Sequence, residues 1–105
     1  MGHPKEPHSL KVPVVIQKAY TIYFERSQGH TFGHCDIHVP WTSQVKQDLA
    51  VAFKALCVLH SEKIYAQHSP DDPKHEKFLK MFGFKFVEEF VDLATGETRH
   101  LYSLN

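Results

Sequence analysis

The 105-residue sequence contains little cysteine: Cys35 and Cys57 are its two cysteines. Two are too few for a disulfide framework, and both lie in apolar patterns in which a buried, reduced thiol is the ordinary state. We therefore exclude the small disulfide-stabilised secreted class and expect a protein of a reducing compartment, the cytoplasm.

The sequence also lacks an excess of charge of either sign. Twelve Lys and Arg side chains balance twelve Asp and Glu side chains, and no run of like charge stands out. This balance predicts that neither nucleic acid nor a membrane surface is a partner. Nine histidines are many for this length, so the net charge changes strongly near pH 6.

Long hydrophobic runs are missing as well. Residues 1–9 have no apolar core of the kind found in a signal peptide, and no segment approaches the length that crosses a bilayer. We expect residues 1–10 to be flexible. A chain with 42% hydrophobic residues can bury one core, so residues 1–105 are predicted to form a single domain.

The N-terminal part of the chain is typical of strands. β-Branched and aromatic residues at 11–17 and 19–26 predict two strands, and Pro13 places the first of them at a sheet edge. The segment "SQGH" predicts a turn, after which "TFGHCDIHVP" returns as a strand. Residues 20–39 are therefore expected to form a β-hairpin.

The periodicity then changes to that of a helix. Apolar residues recur three and four positions apart from Val45 to Leu59, which predicts an amphipathic helix over about residues 43–60. Either Thr42 or Ser43 is its cap. The segment "KIYAQ" is predicted to follow as a short strand.

A second, shorter helix is indicated by its end signals. Asp72 caps the start and Pro73 suits the first helical position, while Gly83 suits the left-handed residue that follows the end. The aromatic and β-branched residues at 84–93 then predict a strand covered on both faces. A turn and a strand over residues 99–104 complete the chain.

These elements define the predicted fold class: an α/β (α+β) mixed sheet with the order β-β-β-α-β-α-β-β and two helices against it.

One strand concentrates polar chemistry. On residues 30–39, the alternation of a strand places His34, Asp36 and His38 on one face. Two imidazoles and a carboxylate at this spacing suit a general base for an amine, a zinc site, or the ordinary polar residues of a half-exposed strand. The residues leave these three interpretations open, and no CxxC or HExxH spacing supports the zinc site.

Residues 32–104 resemble a known family. The resemblance lies in the segments "CDIHVPW", "KIYAQHS" and "DDPKHEKFLKMFGFKFVEEF", and in the long helix between the first two. They are similar to the C-terminal half of the GNAT superfamily of acyl-CoA-dependent N-acyltransferases, and in particular to small phage-encoded GNAT-like proteins. In that family a strand that contacts pantetheine leads into a long helix whose start binds the pyrophosphate. A strand, a short helix with a Gly-Phe ending and a hairpin follow. The resemblance implies a reduced, three-layer GNAT-like fold.

The resemblance also implies a site. Asp36 or His38 would act as the general base on the amine. The start of the long helix would hold the pyrophosphate at the positive end of the helix dipole. The acyl-CoA-binding residues would be Val39, Ser43, Gln44, Val45, Lys46 and Asp72.

The chain departs from the family pattern at the positions that carry this chemistry. No glycine occurs between Gly33 and Gly83, so Gln47 and Leu49 stand where the family has small residues that let backbone N–H groups close around the pyrophosphate. Leu79 stands where a family tyrosine protonates the leaving thiolate, and leucine has no proton to donate. The part of the chain before the long helix is also much shorter than in the family.

We therefore expect a phage-encoded, GNAT-like protein with a degraded acyl-CoA site. It would work by binding, as an accessory or virion protein, in the host cytoplasm or in the virion. An active acetyl-CoA-dependent N-acyltransferase on an amine substrate is the alternative. A metal-binding module built on His34, Asp36 and His38 is a second alternative.

The partners follow from these hypotheses. We expect a protein partner. Acetyl-CoA would be the ligand if the protein is instead an active N-acyltransferase. The open sheet edge near Pro13 favours a homodimer. Trp41, which follows Pro40 at a strand end, is either an exposed anchor for a partner or a lid on the long helix.

Overall fold

The computed structural model describes residues 10–104 of the 105-residue chain. The expected flexibility of residues 1–10 falls on residues outside this described range, apart from Leu10. The elements follow one another in the predicted order. They are β1 (Lys11–Ile16), β2 (Tyr20–Ser27), β3 (His30–Ile37), α1 (Ser43–Leu59), β4 (Ile64–His68), α2 (Pro73–Met81), β5 (Lys85–Val91) and β6 (Thr98–Leu104).

The start of α1 is set by Thr42. Its backbone is extended, and its hydroxyl accepts a hydrogen bond from the Val45 N–H at 3.2 Å. This bond satisfies one of the free N–H groups of the first turn, so Thr42 and not Ser43 is the cap. The helix ends at Leu59, one residue before the predicted end, and His60 is its C-cap.

The start and end of α2 follow the predicted signals. The Asp72 carboxylate accepts a hydrogen bond from the His75 N–H at 3.2 Å, and Pro73 is the first helical residue. Phe82 caps the end, and Gly83 follows with φ +90°. A left-handed residue is needed here to turn the chain out of the helix, and glycine adopts it without a steric cost.

The six strands form one mixed sheet in the order β1-β2-β3-β4-β6-β5. β3 and β4 run parallel, and the other neighbouring pairs are antiparallel. Pro13 lies on β1, the predicted edge strand, where its missing N–H costs little. The tight turn at Gln28 and Gly29, both with positive φ, joins β2 to β3 as a hairpin.

β5 is the opposite edge of the sheet, and the prediction that it is covered on both faces is wrong. Phe86 is 53% exposed and Val91 is 55% exposed. A register shift between Phe86 and Glu88 also breaks the regular alternation of the strand. The cause is position: β5 has a neighbour on one side only within the described sheet, and six of its seven residues are exposed.

Both helices pack on the same face of the sheet. α1 buries Leu49 and Phe53 against Ile22 of β2, and α2 buries Leu79 in the same core cluster. Tyr102 of β6, on this face, donates a hydrogen bond to Glu76 of α2.

The opposite face of the sheet has no helix within residues 10–104. Its register places Asp36, Gln67 and Lys85 outward, and all three are exposed. The described chain therefore has two layers, and the expected third layer is wrong for this range, because both apolar helix stripes are used on one face. Within it, no helix is long and apolar enough to cross a membrane.

Candidate functional site

The parallel strands β3 and β4 pair only at their beginnings within the described sheet. The register joins Thr31 with Ile64 and Phe32 with Tyr65, although β3 continues to Ile37 and β4 to His68. Beyond Phe32 the two strands diverge. The backbone N–H and C=O groups of residues 33–37 that face β4 therefore have no strand partner within residues 10–104.

A cleft of about 710 Å³ fills this opening. It reaches both faces of the sheet and is bounded by α2 on one side. Its lining residues are Lys11, Glu25, Ser27, Phe32, Gly33, His34, Cys35, Asp36, Ile37, Phe53, Ala66, Gln67, Asp72, Lys74, His75, Phe78, Leu79 and Phe84. A volume of this size is in the range of ligand sites in proteins.

The interior of the cleft is apolar. Phe53 of α1, Phe78 and Leu79 of α2 and Phe84 line it on the helix side. Phe53 and Phe84 meet edge to face, with ring centroids 5.8 Å apart. Such packed aromatic walls hold an apolar or extended ligand group and exclude water.

Gly33 lies where the two strands begin to separate. A Cβ at this position would lie 3.1 Å from the Ile64 methyl Cγ2, closer than ordinary van der Waals contact. Glycine therefore lets β3 and β4 approach here before they part.

The polar wall of the cleft contains a carboxylate–imidazole pair. His34 Nε2 lies 2.7 Å from Glu25 Oε1 across the β2–β3 hairpin, and the two side chains are 35% and 24% exposed. A carboxylate that accepts from one ring nitrogen orients the ring and leaves the other nitrogen for a ligand or a proton. Sequence reasoning missed Glu25; the hairpin register, which brings residues 25 and 34 to the same face, is the signal that could have found it.

The two predicted general bases lie in different places. Asp36 is exposed and lines the cleft. His38 lies beyond the end of β3, outside the cleft lining, and its Nε2 shares a hydrogen bond of 2.8 Å with Thr21 Oγ1. Asp36 and His34 therefore share the lining of the cleft, which does not include His38.

The zinc hypothesis required His34, Asp36 and His38 to converge. Within residues 10–104, no group of three His, Cys, Asp or Glu side chains is arranged to hold a metal ion. The hydrogen bonds of His34 with Glu25 and of His38 with Thr21 point these rings to different partners. The geometry therefore lends no support to the second alternative.

Of the residues predicted to bind acyl-CoA, some line the cleft and others do not. Those at and before the start of α1 are not part of the cleft lining: Val39, Ser43, Gln44, Val45 and Lys46. Val45 is buried in the core, and Gln44 Nε2 donates to Asp48 Oδ1 of its own helix at 2.8 Å. Asp72 does line the cleft, and it also caps α2.

Trp41 lies just before the start of α1 and packs against the second half of α2. It is 45% exposed, and its ring centroid is 6.2 Å from that of Phe78 and 6.3 Å from that of Phe82. The indole therefore covers α2, so the lid interpretation fits the contact, with α2 in place of the long helix.

A comparison with protein-family models, with curated proteins and with solved structures finds no match to this chain. The resemblance to the GNAT superfamily stays a prediction from the sequence, and the function has to be argued from the site itself.

Cys35 faces the cleft from β3 as a weakly reactive thiol. Burial raises its pKa to about 11, and the negative charge of Asp36 adds to the rise. The side chain is half-buried, as the sequence predicts for a reduced cysteine. At neutral pH it is a thiol rather than a thiolate, so it is a poor nucleophile but a useful chemical probe of the cleft.

A second group of histidines was missed by sequence reasoning. His68, the last residue of β4, is 1% exposed, and its Nδ1 lies 3.1 Å from Nδ1 of His75 on α2. Burial lowers the pKa of His68. The signal was present in the alternation of "IYAQH", in which Ile64, Ala66 and His68 share the inward face of the strand.

Proposed function

We propose that this chain is a GNAT-like domain that works by binding a protein partner, with an acyl-CoA site that no longer supports transfer. The parallel β3–β4 pair that opens into a cleft, with a helix after each strand, supports the GNAT-like assignment. A role as a phage accessory or virion protein is the one that the sequence resemblance implies.

The position of Trp41 carries the proposal. By the resemblance, the coenzyme would run between the start of α1 and α2 toward the cleft. The indole of Trp41 lies there, packed on Phe78 and Phe82. Trp41 at this place, together with Leu79, 3% exposed, at the position of the proton-donating tyrosine, supports the proposal that the pyrophosphate is crowded out and that the leaving group has no acid.

The cleft itself is suited to an extended peptide. β3 and β4 both present backbone groups to the opening, and strands with free N–H and C=O groups bind extended chains by adding a strand. The apolar wall formed by Phe53, Phe78 and Phe84 would take alternate side chains of such a peptide. Asp36 at the exposed mouth favours a basic residue in the partner.

Thermal unfolding with coenzyme tests the loss of the acyl-CoA site. We expect no change in Tm with acetyl-CoA at about 1 mM, whereas a Kd of about 10 μM would stabilise the fold by about 2.7 kcal/mol. Trp41→Ala is the informative variant, because removal of the indole should restore weak binding if the ring is what fills the site. A clear Tm increase of the unaltered protein would contradict the proposal.

A library of random peptides, selected on the immobilised protein, tests the peptide role. We expect selected peptides to slow the reaction of Cys35 with a thiol reagent in a Cys57→Ser background, because Cys35 lines the cleft. Asp36→Arg should weaken their binding, and the matched change Glu88→Arg, at an exposed residue outside the cleft, should not. Peptides that bind without protecting Cys35 would place the partner site elsewhere.

One observation favours the acyltransferase as a second candidate function. The His34–Glu25 pair at 2.7 Å supplies a base inside the cleft, which His38 does not. The imidazole would take the proton of the attacking amine, the amine nitrogen would bond to the thioester carbon, and the thiolate would leave. Release of free coenzyme A from acetyl-CoA with polyamines or peptides as acceptors, abolished by His34→Gln, would establish this candidate.

A further inference from the structure

The contact between His68 and His75 depends on protonation. The two Nδ1 atoms lie 3.1 Å apart, a distance at which one ring donates a hydrogen bond and the other accepts it. This requires that at least one of the two Nδ1 atoms carries no proton. When both rings are imidazolium, two N–H groups and two positive charges face each other and the bond is lost.

The carboxylates around the pair offset a second positive charge only in part, since the net shift of the His68 pKa is downward. On α2, His75 is flanked by Asp72, whose carboxylate caps the helix, and by Glu76. Glu76 already accepts from the Tyr102 hydroxyl at 3.0 Å and pairs with Lys80 at 3.2 Å.

On the sheet side, His68 is surrounded by a further histidine and by a tyrosine of β6. On β6 the ring of His100 lies 6.1 Å from that of His68, and Tyr102 meets it edge-on at 5.7 Å. His100 is itself paired with Glu89 at 3.0 Å. In the turn between β4 and α2, Asp71 accepts a hydrogen bond from the Ser69 hydroxyl.

The direction of the pH effect follows from burial. Burial is the largest cause that lowers the pKa of His68; the charges of His75 and His100 lower it further, and those of Glu76 and Asp72 act against them. A histidine whose pKa is lower in the folded protein stabilises the fold fully above its ordinary pKa of about 6.5. That contribution is lost as the pH falls below this value toward the lower pKa of the folded state.

We propose that the His68–His75 pair fastens the first turns of α2 to the sheet at neutral pH and releases them in acid, which opens the wall of the cleft. The link to the cleft is direct, since Asp72, Lys74 and His75 of this segment line it. The effect on a bound ligand rests on the binding function proposed above, whereas the release of α2 does not.

The single tryptophan reports on α2. Trp41 packs on Phe78 and Phe82, in the second half of this nine-residue helix and at its C-cap, so its emission should change when release of the first turns lets the helix shift. Between pH 7.5 and pH 5 we expect a cooperative change in Trp41 emission with a midpoint below about pH 6.5, while the far-ultraviolet circular dichroism of the sheet is retained.

His75→Asn is the decisive variant. The asparagine amide nitrogen can donate to neutral His68 Nδ1, and after rotation its oxygen can accept from protonated His68. The contact then survives in acid without a second positive charge, so the emission change should be lost. His30→Asn, at the exposed first residue of β3, is the matched control and should keep the change. An equal transition in His75→Asn, no transition in the unaltered protein, or loss of the circular dichroism together with the emission change would each overturn the proposal.

The opening of the cleft has its own readout. The measurement is the rate at which Cys35 reacts, in the Cys57→Ser background, with a disulfide reagent that modifies thiols in acid. At pH 5 the protein with His75 should react several-fold faster than the His75→Asn variant. At pH 7.5 the two proteins should react at the same rate. Equal rates at pH 5 would show that the cleft does not open. If α2 is released but selected peptides bind equally at both pH values, the binding function in the cleft is wrong while the release of α2 stands.

Discussion

Leu49 and Leu59 are the same residue type on the same helix, yet they have opposite surroundings. Leu49 is 0% exposed in the core under the sheet, and Leu59 is 82% exposed at the end of α1. The helical periodicity includes both, and only the position of the sheet shows that the last turn extends past it.

Leu49→Ala should therefore lower the free energy of unfolding by about 2–5 kcal/mol, since it removes buried methyl groups and leaves a cavity. Leu59→Ala, the matched control, should change it by less than about 0.5 kcal/mol. Urea unfolding followed by circular dichroism measures both values. Similar losses from the two variants would mean that the end of α1 is covered by a part of the chain or a partner that this packing does not include.

At the cleft, single residues were predictable only in part. The alternation of β3 correctly places His34 and Asp36 on one face, because alternation is a property of the strand itself. The partner of His34 was not predicted, since Glu25 lies nine positions away and meets it only after the hairpin forms. The roles proposed for Asp36 and His38 stay predictions.

At the scale of elements, the ends of the helices were predictable to within one residue. Their signals lie within a few positions of the ends: Thr42 before α1, Asp72 and Pro73 before α2, and Gly83 after it. Capping chemistry acts over one helical turn and needs no tertiary contact.

The cap of α1 gives a direct test. Thr42→Ala should destabilise the protein by about 1 kcal/mol, because the Val45 N–H loses its acceptor. Ser43→Ala, one residue further on at an exposed helical position, should have little effect and is the control. Chemical denaturation of the two variants compares them, and a larger loss from Ser43→Ala would make Ser43 the cap.

The burial of β5 and the divergence of β3 from β4 were not predictable at this scale. A strand of aromatic and β-branched residues fits a central or an edge position equally well, and its place depends on which strands lie beside it. The parting of β3 and β4 is likewise a relation between two strands that are distant in the sequence, and neither strand's own pattern shows where their pairing stops.

The whole molecule differs from the expectation in its layers. Both helices lie on one face, and the described residues put no helix on the other, where Tyr23, Phe32 and Tyr65 are half-buried. An amphipathic stripe shows that a helix packs on a sheet, but not on which side of it. The handedness of each crossover and the lengths of the loops decide the side.

The net charge leads to a prediction for the entire chain. Its isoelectric point is about 7.1 and it has nine histidines, so acidification to about pH 5.5 adds positive charge while a rise to about pH 8.5 changes little. Solubility, measured by polyethylene glycol precipitation, should increase steeply on the acid side and stay low on the basic side. The His75→Asn variant should show the same pH dependence of solubility as the unaltered protein, since the effect depends on total charge. A solubility minimum at acid pH would contradict this prediction.

The sequence by itself determined the elements, their order, the helix ends and the alternation along β3, because each of these depends on residues within a turn or a strand of one another. Tertiary structure alone decided what meets across the chain: Glu25 with His34, His68 with His75, and Trp41 with Phe78. It also decided that β3 and β4 part to leave a cleft. These contacts join residues of different elements, and their geometry exists only once the sheet and both helices have packed.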